Sequence, residues 1–339
     1  MVTDDSVKAE ELSRMYGVPT AYSYDQFGEL IASGAVDALY IAKPNWRHAE
    51  FAVPALEAGL SVLLEKPMEV SSQACERIMD AQQRSGAKLM IGYRLHFEPA
   101  TIAAIEEVRS GRLGQVHFFS STFCQLVDPK NHRVKNGVLA GPLFDMGPYP
   151  INAVRNLFQD EPTEAFATAT RHSKSGFGDF DDTVSVLLRF PQDRTAQFTV
   201  SYFGSPIDSY TVVGSKGVLE ANPAFTYGKS LEYTVRIGED KRHESFKNTD
   251  HFGGEMKYFS DCILNGKDPE PDGYEGMADV RVMEAALRSI SSGRFEKIEA
   301  GPQKSIISVD QEEKLAAETT PAMVHASAPA RDKAKSPKN

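Results

Sequence analysis

Residues 36–94 alternate short apolar runs with amphipathic stretches, and this pattern constrains the fold more than any other feature of the chain. The runs "VDALYIAKP", "SVLLEKP" and "KLMIGYR" resemble strands that are buried on both faces of a parallel sheet. The stretches "HAEFAVPALEAG" and "SSQACERIMDAQQRSG" between them have the apolar spacing of helices. Strands that alternate with helices in this way predict a doubly wound parallel α/β sheet.

Beyond residue 97 the pattern changes to that of an α+β domain. One helical stretch, "EPATIAAIEEVRSG", is followed by several strand-like segments that are separated mostly by turn residues. Such a series predicts a large, mostly antiparallel open sheet, and helical patterns return after residue 250. We therefore expect one domain at 1–96, a second at 97–309 and a disordered tail at 310–339, where large apolar residues are scarce.

Composition excludes several classes of partner. The formal net charge is 37 − 47 = −10 and the pI is about 5.4, which predicts no nucleic-acid or membrane partner. Three widely spaced cysteines predict neither a disulfide framework nor a metal site. No run is long enough for a membrane span, and the start of the chain lacks signal-peptide features. The chain as given is therefore expected in the cytoplasm, whereas an export signal upstream of Met1 would change that location.

The triplet Glu65-Lys66-Pro67 ends the second apolar strand of the parallel sheet. Ligands of open α/β sheets bind at the carboxyl ends of the strands, and Pro67 restricts the backbone of Lys66. A lysine beside a carboxylate in such a place could donate a proton or polarise a hydroxyl group. The alternative is a surface ion pair that merely ends a strand.

The stretch "KPNWRHAE" follows the preceding strand and places Asn45 and His48 at the same edge of the sheet. Both side chains would point toward the crevice if the sheet is parallel. Alternatively, Asn45 caps the following helix and His48 is a buried residue with satisfied hydrogen bonds.

A second cluster, "LAGPLFDMGPYPINAVRNLF", contains Asp145 and Tyr149 four residues apart. If the segment is one helix, both side chains lie on one face, one turn apart. An acid and a phenol in contact could share proton transfer, although such a pair also occurs by chance.

Taken together, four stretches resemble the glucose-fructose oxidoreductase, inositol dehydrogenase and MocA (Gfo/Idh/MocA) family. The stretches are "AKPNWRHAEFAVPALEAGLSVLLEKP", "GYRLHFEP", "LAGPLFDMGPYPIN" and "GGEMKYFSDCILNGKDPEPDGYEGMADVRVMEAA". The second and third are most similar to the glucose-fructose oxidoreductase branch. The resemblance implies a Rossmann domain and a substrate domain whose open sheet forms a dimer or tetramer contact. It also implies hydride transfer between NADP or NAD and a carbon of a sugar or polyol.

The resemblance also implies roles for individual residues and no metal. Lys66, Asp145 and Tyr149 would be catalytic, with Tyr149 exchanging the proton of the substrate hydroxyl. Asp145, Tyr149 and Tyr227 would contact the substrate. The implied cofactor contacts are Pro44, Asn45, His48, Glu65, Lys66, Arg94 and Arg133.

One part of the family pattern is absent from the given sequence. No G-x-G-x-x-G occurs upstream of Ser6, and by the family pattern roughly thirty residues with the first strand would precede Met1. The opening "VTDD" resembles the end of the second strand, where Asp4 or Asp5 would hold a ribose hydroxyl. We expect the chain as given to bind dinucleotide weakly or not at all, and a micromolar or tighter dissociation constant in a fluorescence titration with NADPH would contradict this. The alternative function is a non-catalytic sugar-binding or scaffold protein derived from the same family.

Overall fold

The structure is a computed structural model that describes residues 1–135, 137–178, 180–299, 301, 307–317, 324 and 326. Within these residues the first part of the chain forms a three-stranded parallel sheet in the order β1-β2-β3. The predicted alternation of strands and helices is confirmed. The strands are β1 (Ala38–Ile41), β2 (Ser61–Glu65) and β3 (Leu89–Gly92), and the helices are α1 (Ser6–Tyr16), α2 (Phe27–Ala32), α3 (His48–Glu57) and α4 (Ser72–Ser85).

Helices cover both faces of this sheet, which explains why its strands are almost entirely apolar. Val62 and Leu64 of β2 belong to the main core with residues of α3 and α4. Leu63 points to the opposite face and packs with Met90 and with Phe259 of a later helix, α8 (His251–Leu264). Glu65 follows Leu63 with the period of two of a strand, so the side chain of Glu65 also lies on the α8 face.

The second part of the chain forms a nine-stranded sheet, order β11-β10-β9-β8-β4-β7-β6-β5-β12, in which only β4 and β7 pair in parallel. Its helices are α5 (Pro99–Arg109), α6 (Pro142–Asp145), α7 (Pro148–Phe158), α8 and α9 (Gly273–Ser292). Its strands are β4 (Val116–Leu126), β5 (Glu164–Thr170), β6 (Thr183–Arg189), β7 (Thr195–Ser201), β8 (Phe203–Gly214), β9 (Gly217–Ala221), β10 (Glu232–Ile237), β11 (Asp240–Ser245) and β12 (Glu296–Lys297).

The two faces of this large sheet differ in character. The inner face carries buried residues such as Phe119, Phe123, Phe198 and Val212, which pack in the main core with residues of α5, α7 and α9. The outer face carries half-buried Ser and Thr side chains such as the hydrogen-bonded pair Ser185 and Thr199. Among the described residues no helix or strand is stacked on the outer face.

Residues 310–317 belong to the tail for which disorder is predicted, but in the structure they pair with other parts of the chain. The backbone N–H of Glu313 donates to the carbonyl of Phe97 at 3.0 Å, and the N–H of Asp250 donates to the carbonyl of Leu315 at 2.9 Å. Gln311 is buried and bonds to Glu270. Backbone pairing and burial therefore hold 310–317 against the second sheet's helices, whereas the rest of the predicted tail, apart from 324 and 326, lies outside the described residues.

Across the described ranges, every helix is too short or too polar to cross a membrane.

Helix α9 lies close to β3 and to the residues that follow Lys66, and glycines permit this approach. A Cβ atom at Gly276 would lie 2.9 Å from Cγ1 of Ile91 and 2.9 Å from Cβ of Met68, both well inside van der Waals contact. Met68 and Ile91 are buried, so neither can move away easily. The glycine therefore fixes the distance between α9 and the edge of the parallel sheet.

We predict that Gly276→Ala lowers the free energy of unfolding by about 1–3 kcal/mol, because overpacking forces buried neighbours to shift. Urea unfolding followed by circular dichroism measures this change. The matched control is Gly28→Ala in α2, where a Cβ meets nothing within 4 Å and φ is ordinary. That control should be neutral or stabilising by up to about 1 kcal/mol, because alanine favours helix more than glycine does. Equal effects of the two substitutions would contradict the packing argument.

Candidate active site

A cleft of about 1480 Å³ lies between the carboxyl ends of β1–β3 and the inner face of the large sheet. Its wall includes all the residues to which the sequence analysis gave site roles, except His48, Asp4 and Asp5. The residues on the wall are Pro44, Asn45, Glu65, Lys66, Arg94, Arg133, Asp145, Tyr149 and Tyr227. Residues separated by up to 183 positions along the chain therefore meet at one place.

Lys66 crosses this cleft and contacts Asp145. The ammonium Nζ of Lys66 donates to the backbone carbonyl of Asp145 at 2.7 Å and lies 3.5 Å from its carboxylate Oδ1. The same Nζ lies 4.8 Å from the centre of the Tyr149 ring. Burial disfavours the charge on Lys66, but Tyr149, Asp145 and Glu65 outweigh it, so the pKa of Lys66 is raised above its ordinary value. Lys66 is therefore a fixed positive charge at neutral pH.

Asp145 is held by three donors. Its Oδ2 lies 2.9 Å from Nε of Arg133 and 2.9 Å from the hydroxyl of Tyr202. Burial alone would raise the pKa of this carboxyl, but the charges of Lys66 and Arg133 lower the pKa of Asp145 to about 2. The side chain is therefore ionised at neutral pH and acts as a fixed acceptor instead of a proton donor.

Asp145 and Tyr149 do not lie on one helix, so the condition under which the sequence places them one turn apart on one face is not met. Asp145 ends α6 and Tyr149 lies in the first turn of α7, with a break at Met146 and Gly147. A Cβ at Gly147 would lie 2.1 Å from the carbonyl oxygen of Leu143, so only glycine fits this break. Pro148 then begins α7, where the missing N–H of proline costs nothing.

The Tyr149 side chain lies among aromatic rings and cations. Its ring packs edge-on against Phe123 at 5.3 Å and near Phe225 at 5.8 Å. Its hydroxyl accepts a hydrogen bond from Nη2 of Arg94 at 3.3 Å. The phenol therefore has an ammonium at its face and a guanidinium at its oxygen.

Arg94 follows β3 and is almost fully buried, with an exposed fraction of 6%. Besides Tyr149, its guanidinium donates from Nη2 to the carbonyl of Phe225 at 2.5 Å and from Nη1 to Nδ1 of His251 at 2.8 Å. Burial and the Arg94 charge lower the pKa of His251 to about 3, so this ring is neutral. A cofactor contact by Arg94 remains a prediction.

The structure places His48 behind the wall of the cleft. Its ring has no exposed surface and is not among the residues that line the cleft, and a cofactor contact by His48 remains a prediction. Nε2 lies 2.8 Å from the carbonyl of Lys43, and Nδ1 lies 3.0 Å from the carbonyl of Pro67. Burial lowers the pKa of His48. The alternative of a buried, hydrogen-bonded histidine is the one that the structure favours.

The remaining predicted contacts lie on the cleft wall. Nδ2 of Asn45 donates to the carbonyl of Leu139 at 3.3 Å, so this side chain bridges the two sides of the cleft. Glu65 accepts a hydrogen bond from the hydroxyl of Tyr40. Tyr227 is 43% exposed, and its hydroxyl lies 3.4 Å from Asp250.

The two acids near the start of the chain cap backbone groups. Asp4 accepts from the backbone N–H of Tyr24 at 2.8 Å, and Asp5 accepts from that of Lys8 at 2.9 Å. Both contacts are typical of turns and helix starts. A ribose contact by either acid remains a prediction.

Three residues of the site were missed by the sequence analysis: Tyr202, His251 and Glu255. Tyr202 ends an alternating strand pattern, and only its fold partners show that its hydroxyl reaches Asp145. His251 and Glu255 are four residues apart on α8 and lie on one helix face. A polar pair on an otherwise apolar helix face was the available signal.

The donor set at the ends of β1–β3 fits the nicotinamide half of a dinucleotide. Asn45 supplies an amide, Lys66 supplies an ammonium, and Pro44 and Trp46 line the adjoining wall. In open α/β sheets this edge is where cofactors bind. Among the described residues no cluster of three or more His, Cys, Asp or Glu side chains could hold a metal ion.

Comparison with known proteins gives matches over both parts of the chain. Residues 1–93 match an oxidoreductase family with an NAD-binding Rossmann fold, and residues 101–220 match the GFO/IDH/MocA C-terminal domain. D-xylose 1-dehydrogenase (NADP(+)) 2 of Haloferax volcanii is 31% identical over 293 residues, which are 85% of this chain and 88% of that protein.

Two further relatives agree with these matches. Inositol 2-dehydrogenase of Rhizobium meliloti is 27% identical over 273 residues, which are 78% of this chain and 81% of that protein. The crystal structure of aldose-aldose oxidoreductase from Caulobacter crescentus, complexed with glycerol, superposes with a TM-score of 0.81. That structure is 33% identical in sequence, and the match covers 87% of this chain and 90% of the other.

Glu255 is a buried carboxyl group beside this site. It has no exposed surface, and neither of its carboxyl oxygens has a hydrogen-bond partner among the described residues. Burial and the neighbouring charge of Glu65 raise the pKa of Glu255 well above its ordinary value. A buried acid without a partner keeps its proton, because ionisation would leave an uncompensated charge.

We predict that Glu255→Gln is more stable than the wild type at pH 8 and equal to it near pH 4. Because the folded-state pKa of Glu255 is raised, its contribution to stability is complete below the unfolded pKa and is lost as pH rises. Glutamine is neutral at both pH values and avoids that loss. Urea unfolding of both proteins from pH 4 to 8 measures the difference.

The matched control is Glu76→Gln on the exposed face of α4, which should leave the pH dependence of stability unchanged. If the free energies of unfolding of the wild type and Glu255→Gln changed in parallel with pH, the prediction would be contradicted, because ionisation of Glu255 would then not lower stability.

Proposed function

This chain belongs to the Gfo/Idh/MocA oxidoreductase family, and on that premise we propose that it transfers a hydride between a sugar or polyol carbon and NADP or NAD. Its relatives include NADP-dependent D-xylose dehydrogenases and an inositol dehydrogenase. We favour NADP and a pyranose substrate, because the stretches "GYRLHFEP" and "DMGPYPIN" resemble the glucose-fructose oxidoreductase branch.

The observation that carries this proposal is the convergence of Lys66, Asp145 and Tyr149 at one place in the cleft. The ammonium lies 2.7 Å from the carbonyl of Asp145 and 4.8 Å from the centre of the Tyr149 ring. A cation, a fixed anion and a phenol in this arrangement suit proton exchange with a substrate hydroxyl.

The nicotinamide half of the cofactor would lie at the carboxyl edge of the parallel sheet, where it would be held by Pro44, Asn45, Glu65 and Lys66. When bound, the cofactor supplies the acceptor or donor of the hydride. The chain's own residues then have to orient the substrate carbon, exclude water and move one proton.

Tyr149 is the residue that we propose for the proton. Asp145 is ionised and saturated with donors, and Lys66 carries a stable charge, so neither is suited to accept the hydroxyl proton. In the oxidation direction the substrate O–H proton passes to the phenolate oxygen of Tyr149 as the hydride leaves the neighbouring carbon. Lys66 orients the substrate hydroxyl, and Asp145 holds Lys66 in place.

We predict that Tyr149→Phe lowers turnover by about 10²–10⁴-fold, the usual contribution of a positioned acid or base. The ring would keep its packing against Phe123 and Phe225, so the loss reports the hydroxyl alone. Absorbance at the wavelength of reduced nicotinamide, recorded with a panel of aldoses and polyols, measures turnover.

The control is Tyr16→Phe, which removes an exposed phenol on α1, far from the cleft, and should retain wild-type turnover. Unchanged kinetics in Tyr149→Phe would remove Tyr149 from the mechanism. Sugar binding without any change in cofactor absorbance in the wild type would favour the alternative of a non-catalytic sugar-binding protein.

We also propose that the chain forms a homo-oligomer through the outer face of the large sheet. That face is broad, carries few charges in its centre and lacks a covering layer among the described residues. Short polar side chains such as Ser120, Ser185 and Thr199 line an open depression of about 280 Å³ on this face, which leaves room for side chains of a second copy.

We predict that Thr199→Arg, at the centre of this face, converts the protein to a monomer in multi-angle light scattering. A buried unpaired guanidinium in the interface would oppose association. The control Asp240→Arg places the same side chain at the exposed edge strand β11 and should leave the mass unchanged. A monomeric wild type would contradict the proposal directly.

A further inference from the structure

We propose that His96 is a positioning residue: held as a buried imidazolium by Glu270, it bonds to Asn152 of α7 and thereby fixes the place of Tyr149. This inference rests on the proposed function, in which Tyr149 exchanges the proton of the substrate hydroxyl. It adds the interaction that keeps Tyr149 in position. His96 acts through Asn152 and takes no part in the proton exchange itself.

The turn Arg94–Phe97, which follows β3, contacts α7 at two points. Nη2 of Arg94 donates to the hydroxyl of Tyr149 at 3.3 Å, and Nε2 of His96 lies 2.7 Å from Oδ1 of Asn152. Tyr149 and Asn152 are three residues apart on α7, so their side chains lie on the same face of the helix. The shorter of the two contacts therefore holds the helix turn from which Tyr149 extends.

The neighbours of Asn152 decide which way its amide faces. Nη2 of Arg155 donates to Oε2 of Glu275 at 2.9 Å, so Glu275 is a carboxylate and only accepts hydrogen bonds. The amide of Asn152 therefore turns its NH₂ group to Oε1 of Glu275, at 2.8 Å, and its oxygen to His96. Because that oxygen is an acceptor, Nε2 of His96 carries a proton.

The other ring nitrogen of His96 faces a second acceptor. Nδ1 lies 3.2 Å from each of the two carboxylate oxygens of Glu270. Burial disfavours a charge on the ring, which is 1% exposed, but Glu270 outweighs burial, so the pKa of His96 is raised. With an acceptor at each nitrogen, the ring carries both protons and is an imidazolium.

The charges around α7 leave Glu270 for this pairing. Arg155 bonds to three other buried carboxyl groups, which are Glu161, Glu275 and Asp279. Among the described residues Glu270 forms no ion pair with a lysine or an arginine, and its cationic partner is His96. Loss of either member would leave the other buried without an opposite charge, which is unfavourable.

The segment 307–317 closes this pair from the outside. Gln311 is 4% exposed, and its Nε2 donates to Oε2 of Glu270 and, at 3.0 Å, to the backbone carbonyl of the same residue. The N–H of Glu313 donates to the carbonyl of Phe97 at 3.0 Å, in the turn that carries the imidazolium. Both the carboxylate and the turn are therefore fixed by the same segment.

The charged and titratable groups around His96 come from every element packed against it. They are Glu270 from the loop before α9, Glu275 and Asp279 from α9, Arg155 from α7, Tyr258 from α8, Arg94 from the same turn and Tyr93 from the end of β3. The Tyr93 ring stacks on the His96 ring with 5.3 Å between centres. Among these groups Glu270 is the one within hydrogen-bond distance of a ring nitrogen.

The first test reads the protons of the His96 ring by nuclear magnetic resonance, with ¹⁵N in the histidine side chains and neither sugar nor cofactor present. We expect two protonated ring nitrogens at pH 8, where a free histidine with a pKa of about 6.5 is mostly neutral. Glu270→Gln should leave one, whereas Glu76→Gln, on the exposed face of α4, should leave both. A single proton on the wild-type ring at pH 8 would overturn the proposal.

The second test reads the place of Tyr149 from ¹³C-labelled tyrosine rings, with Tyr149→Phe identifying its signal. The ring packs on Phe123 and Phe225, so ring currents make its chemical shift sensitive to position. We expect a shift in His96→Leu and in Asn152→Ala, and none in the control Asn265→Ala at the exposed end of α8. An unchanged Tyr149 signal in Asn152→Ala would overturn the proposal, also where His96→Leu fails to fold.

Kinetics separate positioning from a general loss of structure. Asn152→Ala should lower kcat by about 10–10²-fold at an unchanged KM, because a small displacement of a reacting group is costly. The same substitution in Tyr149→Phe should have no further effect, since the two residues act as one unit. Equal losses in both backgrounds would overturn the proposal. A wild type without turnover, with both sets of spectra as expected, would count against the proposed function and not against this inference.

Discussion

The contact between Lys66 and Asp145 is the constraint on which the rest of the site depends. Lys66 extends from the end of a parallel strand, and Asp145 ends a short helix that belongs to the other side of the cleft. The ammonium bonds to the backbone carbonyl as well as facing the carboxylate, so it fixes the position of α6 and not only one side chain. Breaking a half-buried pair of this kind leaves an unpaired charge, which costs more than the pair contributes.

From that contact the neighbouring interactions follow in order. Arg133 and Tyr202 hold Asp145 from behind, so the carboxylate cannot turn into the cleft freely. The break at Gly147 then starts α7 immediately, which places Tyr149 beside Lys66. Arg94 reaches the hydroxyl of the same phenol from the end of the next strand of the parallel sheet, while Lys66 lies at the face of its ring.

The sequence predicted the parallel sheet, the large sheet and the residues of the cleft because each is encoded locally. Apolar runs of strand length, helical spacing between them and polar residues at strand ends all lie within a few positions of one another. It did not predict β11, since Asp240–Ser245 is highly charged, and such charge protects an exposed edge strand from pairing with other chains. It also did not predict the contact of Arg94 with His251, because 157 residues separate them and nothing local in the sequence pairs one with the other. The sequence left open whether Asp145 and Tyr149 share one helix, because the close approach of Gly147 to a carbonyl oxygen, which marks the break, is visible only in three dimensions.

The position of the His48 imidazole between two turns limits how the residues of the cleft can change during evolution. Its ring is packed between the carbonyls of Lys43 and Pro67, which belong to the turns that follow two adjacent strands, and in its neutral form it donates to one of them. Neither turn can lengthen or shift without displacing the ring from the other. The residues that face the ligand from these two turns are therefore expected to change together, and changes in substrate choice are expected mainly on the opposite wall, which the large sheet and its loops form.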